Sequence, residues 1–180
     1  MGLPAGTSDA KPICAVTFVP EVSLDEIVGQ LGPVLGKPDH QSPVFDFDYT
    51  DYYRDEMGPD LKKVFLSFSG SVKPDGLVRM KLRTNELEAE WTVRGKRRIN
   101  LDPGYMTSAK LVLASTKDFA HRIFLGEGIY GDVQLQFRHG RWRPSAWTFP
   151  DYRTTQAKAF FSSVRDLYNQ NERRMRHALS

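Results

Sequence analysis

The chain is poor in cysteine, in long apolar runs and in concentrated charge of one sign, and each shortage narrows what it can be. Cys14 is the only cysteine among 180 residues, which excludes an intramolecular disulfide and any Cys/His zinc cluster. It sits inside the apolar run Ile13 to Val19 and reads as a small buried hydrophobe rather than a catalytic thiol. No stretch approaches the roughly 20 apolar residues that cross a bilayer, and the opening MGLPAGTSDA lacks the basic start and apolar core of a signal peptide. These absences predict a cytoplasmic protein with no membrane contact. The net charge of +3 is too small an excess to mark a nucleic-acid binder by itself. Neither a repeat of fixed period nor a Gly/Ser-rich linker divides the body of the chain.

Two nucleotide signatures also fail on inspection. LGPVLGK, Leu31 to Lys37, has Leu31 where a phosphate-cradling loop needs its first glycine, and Pro38 where it needs the Ser or Thr that holds magnesium. STKD, Ser115 to Asp118, resembles the guanine-reading N/T-K-x-D string but lacks the intervening residue.

What is present is enough apolar and aromatic side chain for one core. A chain of this length buries roughly 70% of its unfolded surface on folding. The run ICAVTFV after Pro12 predicts a buried strand, and Ser23 with Glu26 before Leu24, Ile27, Val28 and Leu31 predicts a capped amphipathic helix. Phe45, Phe47 and Tyr49 alternate with Asp46 and Asp48 as in a half-buried strand. Val64 to Phe68 reads as another strand, and Leu77 onward as a helix ending near Trp91, with Asn85 as a possible cap within it. From Arg98 the pattern turns β-rich, with Pro103-Gly104 and His139-Gly140 as tight turns. From about Thr154, Ala157, Phe160, Phe161, Val164, Leu167 and Tyr168 form one helical stripe that must lie across the sheet. The fold predicted is α+β, a mixed, mainly antiparallel sheet with helices packed on one face, in a single domain over 12–170. Residues 1–11 form a flexible lead-in and 171–180 a frayed basic tail.

Chemistry-bearing side chains concentrate between Lys81 and Tyr152. Lys117, Asp118, His121 and Arg122 follow an apolar strand, where loops at the end of a rigid sheet gather binding residues. Lys117 and Arg122 have the character of anion clamps, and Asp118 that of a carboxylate orienting His121 for proton transfer. The competing reading is a local ion pair at a turn. Lys81, Asn85 and Glu88 share one helix face at spacings of four and three, which also suits a solvated surface. The acidic segment from Asp46 to Glu56 lacks calcium-loop spacing and reads as a strand edge, so no metal site is expected. Trp147, Asp151 and Tyr152 bring aromatic groups near Arg138, Arg141 and Arg143, a pairing suited to nucleic acid and equally to packing of the last helix.

Read together, YYRDEMG, KLRTNELE, INLDPGY, KLVLASTKD, HRIFLGEGIYGDVQL and WTFPDY resemble the bacterial family described as domain of unknown function 4416, over about Ile13 to Tyr168. The resemblance marks Asn85, Glu86, Asp102, Tyr105, Lys117 and Asp118 as shared polar or aromatic positions. It likewise marks His121, Arg122, Tyr130, Asp151 and Tyr152. It implies a common site without naming a reaction or a cofactor.

The leading expectation is a strand-end pocket for a phosphorylated or otherwise anionic small ligand such as a nucleotide, with or without catalysis. Its catalytic candidates are His121, Asp118 and Asp102. Its ligand-binding candidates are Lys117, Arg122, Tyr105, Asn85 and Glu86, with Tyr130, Asp151 and Tyr152. The alternative is an RNA- or ribosome-associated module using Arg94 to Arg98 and Arg138 to Arg143.

Overall fold

The apolar run after Pro12 forms β1 (Lys11–Phe18), which is buried at every position, as a strand must be when it has neighbours on both edges and cover on both faces. In the computed structural model, which describes residues 6–179, β1 lies between β4 (Lys62–Phe68) and β7 (Ile99–Met106). From β7 the sheet continues through β8 (Lys110–Ser115), β10 (Ile129–Arg138) and β11 (Arg141–Pro144), and from β4 to β2 (Pro38–Gln41). Two short strands attach at the side, β3 (Phe45–Asp46) on β4 and β9 (Ile123–Gly126) on β10, while β5 (Thr92–Val93) and β6 (Lys96–Arg97) make a separate hairpin. Every strand pair among the described residues is antiparallel. The chain is thus an α+β domain built on a mainly antiparallel sheet.

Side chains of β1 alternate between two cores. Cys14, Val16 and Phe18 face α1 (Leu24–Leu35) and Met80 of α3 (Leu77–Glu90). Ile13 and Ala15 face the opposite way, onto Ala157, Phe160, Phe161 and Val164 of α4 (Thr155–Leu179). Each large side chain fully buried in these layers contributes roughly 1.5–3 kcal/mol. Helices therefore cover both faces of the sheet, not the one face that the sequence pattern predicts. The reason is visible in β1 and β4: strands apolar on both sides need two covers.

Ala10 exchanges backbone hydrogen bonds of 2.8 Å with Val72, so Ala10 and Lys11, assigned to the lead-in, belong to the sheet; residues 1–5 lie outside the described residues. The helical turns of α4 run on through the basic residues from 171, and residue 180 again lies outside. No helix among the described residues is long and apolar enough to cross a membrane. Ser23 precedes α1 as expected but makes no side-chain cap bond.

Two departures from the sequence pattern create the site. The first concerns Phe45, Phe47 and Tyr49. Only Phe45–Asp46 pairs as a strand; after Phe47, whose N–H bonds Leu61 O at 2.7 Å, the chain lifts away and passes through the short α2 (Arg54–Met57). Phe45 keeps its ladder neighbour Lys63, while Phe47 and Tyr49 face a cleft.

The second concerns Pro103-Gly104, which forms no turn but runs through the middle of β7. Gly104 is required there for space, since a Cβ would lie 2.3 Å from the Val112 carbonyl oxygen of β8. Pro103 has no N–H to give. Peptide groups alternate between the two edges of a strand, so Pro103 and Leu101 look toward β8, and the ladder with β8 ends at Gly104. Beyond it the strands part. Leu101, left without a strand partner on that side, is satisfied by α3: Glu88 Oε1 accepts its N–H at 2.8 Å, and Lys81 Nζ donates to its carbonyl at 2.7 Å.

Candidate functional site

A cleft of about 670 Å³ opens where β7 and β8 part, within the range of small-molecule sites. Its inner end is built from buried charge. Lys63 of β4 and Asp151 form an ion pair at 2.8 Å, with side chains 4% and 2% exposed. Lys81 stands 3.6 Å from Glu88 and 3.9 Å from Asp102. Asn100 donates to Asp102 Oδ2 at 3.0 Å and accepts from Arg97 at 3.1 Å. Lys81, Asn85 and Glu88 all line the cleft, and Lys81 and Glu88 are buried. The face they share is a wall of the site and not a solvated surface. Asn85 lies within α3, not at a cap.

One wall is aromatic. Phe47, Tyr49, Tyr52 and Tyr53 line it from the segment after β3. Burial raises the pKa of the Tyr53 hydroxyl, and the Asp102 carboxylate adds to the shift, so this group is a neutral phenol. The wall is anchored through Glu56 of α2, whose two oxygens receive Arg97 Nε at 2.5 Å and Nη2 at 2.7 Å. Arg97 bridges on to Glu88 at 2.7 Å. These hydrogen bonds hold the Glu56 carboxyl below its ordinary value. A lowered folded pKa contributes stability above the unfolded value of about 4.3, and that contribution fades as the pH falls through the folded one. The stability gap between the parent and Glu56→Gln, measured by urea denaturation, is therefore expected to narrow from about pH 5 to about pH 3.

The outer rim is the turn after β8. Ser115 Oγ accepts the Lys117 N–H at 3.1 Å and Arg122 Nη1 at 2.6 Å. With two bonds accepted, its O–H remains as a donor. Arg122 is itself fixed by Asp132, at 2.8 Å from Nε, and donates to Lys117 O at 3.1 Å. Lys117 Nζ lies over the Tyr52 ring, 3.6 Å from its centroid, and no carboxylate pairs with it among the described residues.

Of the candidate catalytic and ligand-binding residues named from sequence, Asn85, Asp102, Lys117, Arg122 and Asp151 meet in this cleft. The other candidates, His121, Asp118, Glu86, Tyr105, Tyr130 and Tyr152, do not line it. His121 stacks on Trp147 with centroids 5.1 Å apart, and the carboxylate facing its Nε2, at 3.4 Å, is that of Asp132. Asp118 is exposed and receives the Tyr130 hydroxyl, so it does not orient His121; the turn that places Lys117 inward sends the next side chain outward. Glu86 pairs with Arg83 on the outer face of α3. Tyr105 packs with Leu77, Val112 and Ala114, since its position in β7 faces the core beneath α3. Tyr152 is fully buried against Phe65 and Phe161, behind Asp151. Cys14 is buried, and burial pushes its thiol pKa up. Among the described residues no group of three or more His, Cys, Asp or Glu could hold a metal ion.

The family model described as Domain of unknown function (DUF4416) matches residues 8–168. The chain belongs to this family. The matched span takes in the whole sheet and every wall of the cleft. No curated protein and no solved structure matches the chain.

Sequence reasoning missed Lys63, Asn100 and the aromatic wall. Lys63 precedes an apolar run, where a lysine normally marks a solvated strand end; only the opposing Asp151, distant in sequence, keeps it buried. The two basic clusters considered for RNA sit on different hairpins, β5–β6 and β10–β11, and Arg97 of the first is consumed by Glu56 and Glu88.

Proposed function

We propose that this chain binds a small phosphorylated ligand in the cleft between β7 and β8, with the anionic group at the rim formed by Ser115 and Lys117. One observation supports it most: the Ser115 hydroxyl has its acceptor positions filled by Lys117 N–H and Arg122, leaving a donor at the rim of a cleft that Lys117 also lines, where its ammonium forms no direct ion pair among the described residues. A donor polarised in this way, on the same rim as a cation without a direct ion-pair partner, suits an anion. The inner cations do not, because Lys63, Lys81 and Arg97 already face Asp151, Glu88, Asp102 and Glu56. The tyrosine wall offers flat apolar surface to whatever the phosphate carries. Arg122 acts as a positioning residue behind Ser115 and Lys117, and His121 lies outside this arrangement.

Thermal-shift titration with inorganic phosphate, pyrophosphate, sugar phosphates and nucleotides tests the reading. A phosphorylated probe is expected to raise the melting temperature, and Ser115→Ala and Lys117→Ala each to weaken its binding by about tenfold. No stabilising probe, or affinity unchanged in both variants, sinks it.

A further inference from the structure

The inner end of the cleft differs in kind from the rim, and that difference points to what the phosphate is attached to. In register across the face that α4 covers, Thr17 of β1 lies between Lys63 of β4 and Asn100 of β7. Thr17 is fully buried and its hydroxyl has no partner, while both flanking side chains line the cleft. Asp102, one step along β7, takes a single hydrogen bond on Oδ2 from Asn100 and keeps Oδ1 no nearer than 3.9 Å to Lys81. Across from it, the Asn85 amide on α3 makes no hydrogen bond to the described residues and faces the same space.

Four carboxylates, Glu56, Glu88, Asp102 and Asp151, face three cations, Lys63, Lys81 and Arg97, here, so a second anion gains nothing. The groups that line it are instead an alternation of donors and acceptors: the Lys81 ammonium, the Asp102 carboxylate and the Asn85 amide, with the Thr17 hydroxyl buried behind them. A ligand hydroxyl both gives and accepts a hydrogen bond, and a ring bearing several of them is the small-molecule group that uses such an alternation fully. Phe47 and Tyr53 supply the flat apolar contact that the C–H face of such a ring needs.

We propose that the inner end is a sugar subsite, read by Asp102 and Asn85, so that the ligand is a phosphorylated sugar bound with its phosphate outward. This rests on the rim reading above, and the two fail in different ways. Calorimetric titration of the full chain with D-ribose 5-phosphate, inorganic phosphate and D-ribose is the test, repeated on Asp102→Asn and Asn85→Ala. Ribose 5-phosphate is expected to bind at least about tenfold tighter than inorganic phosphate, and either variant to erase most of that advantage while inorganic phosphate changes less than about twofold. Asn85→Ala removes an unbonded amide from a helix face, so its result stands even where Asp102→Asn disturbs the fold. Ribose 5-phosphate binding no tighter than inorganic phosphate overturns the sugar subsite and leaves the rim reading intact. Equal weakening of both probes in Asn85→Ala overturns it as well. D-ribose binding that depends on Asn85, with no response to phosphate, keeps the subsite and removes the rim reading. Silence from all three probes removes both.

Discussion

Lys63→Met is expected to destabilise the fold by about 3–5 kcal/mol, and adding Asp151→Leu to recover most of that loss. Lys63 and Asp151 have side chains only 4% and 2% exposed and stand 2.8 Å apart. Removing the ammonium leaves a carboxylate in a nearly dry site, where the Tyr152 hydroxyl beside it is already without a partner. The protein then has either to protonate Asp151 or to open the region. Both charges were desolvated to make the pair, however, so exchanging both for apolar groups of similar volume removes that burden along with the attraction. The surroundings suit such a swap, because the rings of Phe47, Phe65 and Tyr152 lie 4.5, 5.9 and 5.4 Å from the Lys63 nitrogen. Urea denaturation of both single variants and the double variant measures the coupling. A double variant no more stable than the worse single one would show that the pair does more than neutralise itself. If the double variant is stable but no longer binds ribose 5-phosphate, the pair serves the ligand and not the fold.

The parts of the molecule that follow a simple period were legible in advance. The stripe from Ala157 to Tyr168 reflects one buried face, and α4 stands where that pattern puts it; β10 forms where its alternation lies, but a bulge between Val133 and Leu135 sends Val133 to the α3 side and Leu135 and Phe137 to the α4 side. The cleft was legible only in fragments, because it is assembled from exceptions. Pro103-Gly104 carries the residue chemistry of a turn, yet a missing donor and a missing Cβ serve equally well to end a ladder and to bring its last pair close. Phe47 and Tyr49 keep the period of a strand while their backbone has left the sheet. His121 looked like the chemical centre because histidine titrates near neutrality, yet it does not line the cleft, while Ser115, a residue without a distinctive sequence signature, does. Its place in the proposed rim comes from a local bond to the Lys117 N–H and from Arg122, whose guanidinium Asp132 turns toward it. Asp102 and Lys81 lie 21 positions apart in sequence, and the parting of β7 from β8 lets a helix reach into the sheet and bring them together.

The tightest constraint in this assembly is Gly104, and Gly104→Ala is expected to destabilise the protein by about 3 kcal/mol or more. Its backbone needs no glycine conformation; the demand is for room. An added methyl would stand 2.3 Å from the Val112 carbonyl oxygen, 2.8 Å from Leu113 Cδ2 and 3.1 Å from Ile13 Cδ1. A leucine tip can turn aside, but the carbonyl belongs to β8 at the last paired positions before the strands part, Tyr105 opposite Val112 and Gly104 opposite Leu113. Relief requires β8 to move outward, which carries Ser115 and Lys117 away from Asp102 and widens the cleft. The same substitution is therefore expected to weaken phosphate-ester binding in whatever fraction remains folded, and faster hydrogen exchange at Tyr105 and Val112, the pair that bonds across the two strands, would locate the damage at that end of the β7–β8 ladder. A Gly104→Ala protein with parental stability and parental exchange at those two amides would mean that the strands part for another reason than the Pro103-Gly104 pair.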